Sequence, residues 1–139
     1  MIILFRNIVH WTDLMDDKSE NELLKCVRQF LSEFKDVIYA NGLRIIERLK
    51  NKDALLELGL TSNQRKEIIL SLSVLDYNSG PIKDIYKSGV FWVFGKTIDS
   101  AEIYIKLKIV EQDDEEYAVC LSFHKSENPL KYPFKNKFK

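Results

Sequence analysis

The spacing of apolar residues in the first half of the chain predicts helices. Between residues 17 and 39, apolar side chains recur at every third or fourth position, which is the period of an amphipathic helix. These positions are Leu23, Leu24, Val27, Phe30, Leu31, Phe34 and Ile38. Asn41-Gly42 follows as a helix-ending signal, and the short, isoleucine-rich run "LRIIERL" (43–49) then favours a strand.

Two shorter helices are predicted next. Asn51 is a candidate N-cap for a helix that runs to Leu58 and stops at Gly59. Thr61 and Gln64 then have the spacing of a capping box, in which each side chain binds the backbone N–H of the other residue. The helix that this box opens would bury Ile68, Ile69 and Leu72.

The second half of the chain has the pattern of strands. Three strand-like runs, "VFWVFGKT" (90–97), "EIYIKLKIV" (102–110) and "YAVCLSFH" (117–124), are joined by turns at Asp99-Ser100 and in "EQDDEE". We therefore expect one α+β domain of 139 residues, with N-terminal helices packed on one face of an antiparallel sheet. Residues 17–75 would be mainly helical, residues 76–124 the sheet, and residues 125–139 a basic tail.

Alternation along the last two strands predicts which side chains share a face. The apolar sets are Ile103, Ile105, Leu107 and Ile109 on one strand, and Val119, Leu121 and Phe123 on the other. If both sets point inward, then Tyr104, Lys106, Ser122 and His124 share the outer face, and the connection between the strands has an odd number of residues. A one-residue slip would expose side chains whose burial is worth about 1.5–3 kcal/mol each.

His124 is the natural proton carrier in this outer group, since histidine titrates near neutral pH. It would lie beside a phenol, an ammonium group and a hydroxyl. The alternative is a surface histidine without a role. The chain has only two histidines, and the other, His10, has no evident partner.

Composition limits the function without identifying it. The 21 basic and 21 acidic residues balance, so the molecule as a whole has no net attraction for nucleic acid. After Tyr117, however, one acid, Glu127, is opposed by five lysines at positions 125, 131, 135, 137 and 139. This basic tail is either a patch that attracts phosphates or a solvated, frayed end.

The N-terminal run and the cysteines indicate the cellular compartment of the protein. The apolar run "MIILFRNIVHW" is too short and too interrupted for a membrane span or a signal peptide, so we expect a cytoplasmic protein without membrane association. Residues 1–16 read as an extension of the domain, and Met15 is an alternative start. Cys26 and Cys120 lie far apart within apolar patterns and are expected to be buried, reduced thiols.

Three other features allow a structural interpretation as well as a functional one. The run "DDEE" (113–116) suggests carboxylates for a metal, but it is more typical of a solvated turn. The aromatic residues Phe91, Trp92 and Phe94 could stack RNA bases, although aromatic residues in a central strand usually belong to the core. In the tail, Tyr132, Phe134 and Phe138 alternate with lysines, which suits either RNA or protein binding, or a flexible end with anchors.

Several strings resemble the MqsR (motility quorum-sensing regulator) family of toxins from toxin–antitoxin systems. They are "ELGLTSNQRKEIILSLSVLDYNSG", a strand containing Trp92, "EIYIKLKI" and "VCLSFH", and the match spans roughly Leu56 to His124. The resemblance implies a RelE-like fold and a type II toxin that cleaves messenger RNA without a metal or other cofactor. It also implies a cognate antitoxin as partner, and a homodimer is a further option.

The resemblance implies site residues as well. The family's Y-[IL]-K strand is met by Tyr104-Ile105-Lys106, and its last strand by Ser122-Phe123-His124. His124 would transfer the proton, Tyr104 would assist, and Lys106 would hold the phosphate. The remaining substrate contacts would come from Lys108, Lys83, Tyr77 and Ser122.

This chain departs from the family pattern at two positions. A lysine common after the central helix is replaced by Asn78 or Ser79, and a glutamine after the tryptophan is replaced by Val93. Lys83 or Lys87 are candidate substitutes. The departures leave open an alternative, a non-catalytic RNA- or protein-binding module with the toxin fold, and a purely structural interaction domain is a third option.

Overall fold

A computed structural model describes residues 17–135 of the chain. Three helices, α1 (Asp17–Asn41), α2 (Leu49–Leu58) and α3 (Ser62–Leu70), are followed by a short 3-10 turn at Val74–Asp76. The strands are β1 (Leu43–Ile45), β2 (Tyr77–Lys83), β3 (Val90–Ile98), β4 (Ala101–Gln112) and β5 (Glu115–Lys125). The predictions for residues 1–16, including His10 and Met15, and for Phe138 lie outside the described residues.

The strands form one sheet in the order β1-β5-β4-β3-β2. The predicted α+β class is confirmed, with helices packed against a mostly antiparallel sheet. The exception is β1, which pairs in parallel with β5 at one edge, where Leu43 lies opposite Ala118. None of the helices in the described part of the chain is long and apolar enough to cross a membrane.

The local signals of the helices act largely as predicted. Gly42 follows α1 with φ +83° and donates its N–H to the Ile38 carbonyl, as a helix-ending glycine does. The capping box is formed, with the Gln64 N–H 3.1 Å from Thr61 Oγ1 and the Thr61 N–H 2.9 Å from Gln64 Oε1. The prediction that Asn51 caps α2 is wrong, because the helix begins two residues earlier.

The core lies between α1 and the inner face of the sheet. The apolar stripe of α1 is buried there, as its period predicts, and Trp92 and Phe94 of β3 pack against it rather than facing solvent. Phe30 stacks on Trp92 with ring centroids 5.1 Å apart. The fully buried strand residues in this layer are Tyr77, Phe94, Ile103, Ile105, Leu107, Ala118, Cys120 and Phe123.

A bulge in β5 changes the predicted faces. Tyr104 pairs with His124 and Lys106 with Ser122, as expected, but Leu107 pairs with Cys120, which leaves Leu121 without an opposite residue. Beyond this point the alternation is reversed, so Ala118 and Cys120 face the core while Val119 and Leu121 do not. The prediction of inward Val119 and Leu121 was therefore wrong.

The same bulge corrects the predicted hairpin. The connection between β4 and β5 is the two-residue turn Asp113-Asp114, an even number, with φ +54° and +63°. Two successive positive φ values define the tight turn that suits a right-handed hairpin, and the Asp99-Ser100 turn has the same form. An extra residue in β5 compensates for the even loop, so Phe123 still points into the core.

The C-terminal segment is a packed part of the fold up to Phe134, which is 1% exposed and stacks on Tyr77 at 5.4 Å between ring centroids. On the way, the segment crosses the outer face of the sheet over Gly95. A Cβ at that position would lie 2.7 Å from Leu130 Cδ1 and closer still to the Tyr132 hydroxyl. The interpretation of residues 125–135 as a frayed tail is therefore wrong.

Candidate active site

Tyr104 and His124 are direct cross-strand partners on the outer face of the sheet. Their rings stack with centroids 5.6 Å apart and planes 20° apart, and both side chains are half-buried. The pairing places a phenol and an imidazole side by side on two rigid strands. The predicted juxtaposition of these two residues is thus observed.

The imidazole of His124 is oriented by the backbone. Its Nδ1 lies 3.0 Å from the carbonyl oxygen of Lys125. Because a carbonyl oxygen can only accept a hydrogen bond, this contact places a proton on Nδ1. In the neutral ring, Nε2 then has the free lone pair and is the atom able to accept a proton.

Tyr104 is set up as a donor. Burial raises the pKa of its hydroxyl above the ordinary value of 10.0, since the phenolate would lose its hydration there. The hydroxyl therefore keeps its proton at neutral pH. Tyr104 can donate a hydrogen bond or a proton, while His124 can accept one.

Lys106 supplies positive charge next to this pair. It lies on the same face as Tyr104, two residues and about 7 Å along the strand, and pairs with Ser122. Its Nζ lies 3.9 Å from the centroid of the Phe91 ring, a cation–π contact that holds the side chain over the sheet. Burial and then the charge of Arg48 lower the pKa of Lys106, which Asp84 opposes.

Arg48 is the functional candidate that the sequence did not reveal. It is an exposed residue that immediately precedes α2, and it is near enough to Lys106 for its charge to lower the pKa of that lysine. The string "LRIIERLKNK" contains several basic residues, but no local pattern in it indicates that Arg48 lies near Lys106 of β4. Only the parallel placement of β1 against β5 brings it there.

Four predicted substrate contacts are placed less favourably. Lys108 shares the face of Lys106, but its side chain is 5% exposed and its Nζ lies 2.7 Å from Asp84 Oδ2. Ser122 is on the expected face, yet it is only 3% exposed. Tyr77 has no exposed surface, and its hydroxyl donates to the Gly80 carbonyl at 2.6 Å. Lys83 pairs with Val90, which directs it to the opposite side of the sheet.

The two positions that depart from the family pattern have structural roles. Asn78 donates its side-chain amide to the Lys131 carbonyl at 2.8 Å, and so helps to hold the C-terminal segment on the sheet. Val93 is 2% exposed and lies opposite Lys106. Neither side chain contributes a charge to the candidate site.

His124 lies between two small clefts. One cleft, of about 190 Å³, separates it from Lys50, Asp53 and Glu57 of α2. The other, of about 280 Å³, lies between the Tyr104–His124 pair and the C-terminal segment. An extended ligand that lies across the imidazole can therefore enter a cleft on either side.

Other chemistry finds less support in the described region. Within residues 17–135, no three His, Cys, Asp or Glu side chains are grouped as metal ligands. The acidic run is the tip of the β4–β5 hairpin. Cys120 is a buried free thiol and Cys26 a half-buried one, and burial raises the pKa of both.

No protein-family model matches the chain, and no curated protein or solved structure is significantly similar to it. A function for the Tyr104–His124 site is therefore inferred from the geometry and the charges of the site itself.

Proposed function

We propose that this protein is a metal-independent endoribonuclease that cleaves single-stranded messenger RNA, and that it acts in the cytoplasm as the toxin of a type II toxin–antitoxin pair. The observation that carries the proposal is the stacked Tyr104–His124 pair, with a proton donor and a proton acceptor on neighbouring strands. The resemblance of residues 56–124 to the MqsR family supports the same reaction.

The reaction uses the 2′-hydroxyl of the substrate as nucleophile. His124 Nε2 takes the 2′ proton while the 2′-oxygen forms a bond to phosphorus. The bond from phosphorus to the 5′-oxygen breaks, and the Tyr104 hydroxyl gives its proton to that departing oxygen. The products are a 2′,3′-cyclic phosphate and a 5′-hydroxyl end, and proton exchange with water restores both side chains.

Lys106 and Arg48 stabilise the phosphate during this step. Lys106 lies on the side of the Tyr104–His124 pair away from the C-terminal segment, within reach of a phosphate bound over the pair, and Arg48 is near enough to Lys106 to lower its pKa. Negative charge accumulates on the non-bridging oxygens in the transition state, so fixed cations lower the barrier. Lys108 is excluded from this role by its ion pair with Asp84.

The test is cleavage of short single-stranded RNAs by purified protein. We expect a cyclic phosphate product, and no cleavage when the 2′-hydroxyl at the scissile position is replaced by hydrogen. His124→Ala should lower kcat by roughly 10²–10⁴-fold, and Tyr104→Phe by a smaller factor, while both keep the wild-type melting temperature. Tyr39→Phe, on an exposed tyrosine of α1, is the matched control and should cleave normally.

The same variants extend the test to cells. Expression of the wild-type chain should arrest growth, whereas His124→Ala should not, and relief by the product of an adjacent gene would identify the antitoxin. Full cleavage by His124→Ala would overturn the assignment. RNA binding without any cleavage by the wild-type protein would instead favour the non-catalytic binding module, which the uncharged Asn78 and Val93 allow.

A further inference from the structure

A second site adjoins the reactive pair on its C-terminal side. It is the cleft of about 280 Å³ introduced above, lined by Tyr104, His124, Ser126, Glu127, Asn128, Pro129 and Leu130. We infer that this cleft binds one nucleobase of the RNA next to the scissile phosphate, and that the side chain of Asn128 helps to select which base is accepted. The inference rests on the proposed ribonuclease activity.

The outer wall of the cleft is rigidly attached to the sheet. The Glu102 carboxylate accepts the Leu130 N–H at Oε1 and the Tyr132 hydroxyl at Oε2, each at 2.8 Å. Gly95 allows Leu130 and Tyr132 to lie directly on β3, and the burial of Phe134 fixes the segment beyond them. A wall held at so many points can present a defined shape to a ligand.

The size of the cleft suits a single base. Pockets for small molecules typically measure about 300–1,000 Å³, so a volume of about 280 Å³ is large enough for one planar ring system. Proteins that read single-stranded RNA splay bases out, stack them on flat side chains and bind their edges. Pro129 and Leu130, which line the cleft together with His124, provide apolar surface for such a ring.

Charge separates the base from the phosphate. None of the described residues that line this cleft is a lysine or an arginine, whereas Lys106 lies on the other side of Tyr104, with Arg48 near enough to lower its pKa. The phosphate is therefore drawn toward the cations, and the uncharged base is left for the cleft. His124, which borders the cleft, keeps the base within one nucleotide of the reacting bond.

Asn128 is the polar group available to read the base edge. The Ser126 hydroxyl already donates to the Asn128 carbonyl, and the Glu127 carboxylate is bound by Lys50 Nζ at 2.7 Å. By contrast, the side-chain amide of Asn128 has no hydrogen-bond partner among residues 17–135, and the residue is exposed. An amide carries both a donor and an acceptor, so it can pair with two adjacent groups on a base edge.

The experiment compares kcat/KM for RNAs that differ only in the base on either side of the scissile bond. The wild-type protein should discriminate among the four bases at one of these two positions. Asn128→Ala should reduce that discrimination by between fivefold and a hundredfold, roughly the worth of one bidentate contact, while cleavage of the best substrate continues. Asn21→Ala, an exposed asparagine of α1, is the control and should keep the wild-type preference.

A binding measurement separates this inference from the proposed activity. A 2′-deoxy oligonucleotide carrying the fluorescent base 2-aminopurine at the selected position should be quenched by wild-type protein and less so by Asn128→Ala. Cleavage with unchanged base preference and no quenching would overturn the cleft assignment and leave the ribonuclease standing. Quenching without cleavage of the matching RNA would overturn the ribonuclease and retain a base-binding cleft.

Discussion

Lys106 and Lys108 lie two residues apart on the same face of β4, yet their neighbours give them different roles. Lys106 lies over an aromatic ring beside the Tyr104–His124 pair, while Lys108 is buried against Asp84. Asp84 also accepts the backbone N–H groups of Tyr86 and Lys87, so it ties the β2–β3 connection to the sheet. Lys106 is thus available to the proposed phosphate site, and Lys108 holds the fold.

The Asp84 ion pair predicts an acid-dependent stability. The hydrogen bond from Lys108 and then that from the Tyr86 N–H lower the pKa of Asp84 from 3.8 to about 2. A carboxyl whose pKa is lower in the folded state stabilises the fold above pH 4, and this contribution is lost as the pH falls toward 2. Asp84→Asn should therefore lower the melting temperature near neutral pH, with the difference from wild type narrowing between pH 4 and 2.

Thermal melts of both proteins from pH 2 to 7 would check this. Asp36→Asn, on an exposed aspartate of α1, should show no such pH-dependent difference. A difference between wild type and Asp84→Asn that stays constant down to pH 2 would mean that the ion pair does not stabilise the fold.

Among the elements, β5 determines the geometry of the site through its bulge. The bulge falls directly after the Lys106–Ser122 pair, at Leu121, where the ladder to β4 is interrupted. On the other edge of β5, the pairing with β1 ends at Cys120. Beyond it, the side chain of Asn51 of α2 binds the β5 backbone in place of β1. This side chain donates to the Ile46 and Leu121 carbonyls at 3.0 and 3.1 Å.

Asn51 also accepts the Phe123 N–H at 3.0 Å, next to His124. Asn51→Leu removes all three contacts and leaves buried backbone groups unpaired, so we expect a loss of at least about 2 kcal/mol in the free energy of unfolding. Amide exchange at Phe123 should accelerate as well. Chemical denaturation and hydrogen exchange would measure both effects, and Asn21→Leu, on an exposed position, should change stability by no more than about 0.5 kcal/mol. Unchanged exchange at Phe123 would contradict this role.

At the scale of the whole molecule, the C-terminal segment joins the two faces of the sheet. It crosses the outer face over Gly95 and then inserts Phe134 between the layers, against Tyr77. The segment therefore belongs both to the core and to the wall of the base cleft. The inferred base selection would therefore depend on the same segment that stabilises the core.

Phe134→Ala tests how strongly this segment is attached to the core. Removal of a buried phenylalanine should lower the free energy of unfolding by about 3–5 kcal/mol, and the released segment should become sensitive to proteases. Urea denaturation and limited proteolysis would measure the two effects. Tyr86→Ala, at an aromatic residue that is 89% exposed, is the control. An effect below about 0.5 kcal/mol would mean that the segment is only a surface tail.

The sequence by itself determined the features that depend on neighbours along the chain. The period of α1, the capping box at Thr61 and Gln64, and the two-residue turn at Asp99-Ser100 follow from local backbone chemistry. The shared face of Tyr104 and His124 also followed, because burying Ile105 and Phe123 together fixes the register of the two strands at that end.

Only the tertiary structure decided the features that depend on distant residues. At the bulge, the Leu121 carbonyl and the Phe123 N–H of β5 form hydrogen bonds with Asn51 from another element. No pattern within β5 predicts this bulge. The charge of Arg48 acts on Lys106 because β1 lies parallel to β5, and Gly95 matters because Tyr132 lies on it. Alternation assigns side chains to faces within one strand, but it carries no information about what another segment will place on that face.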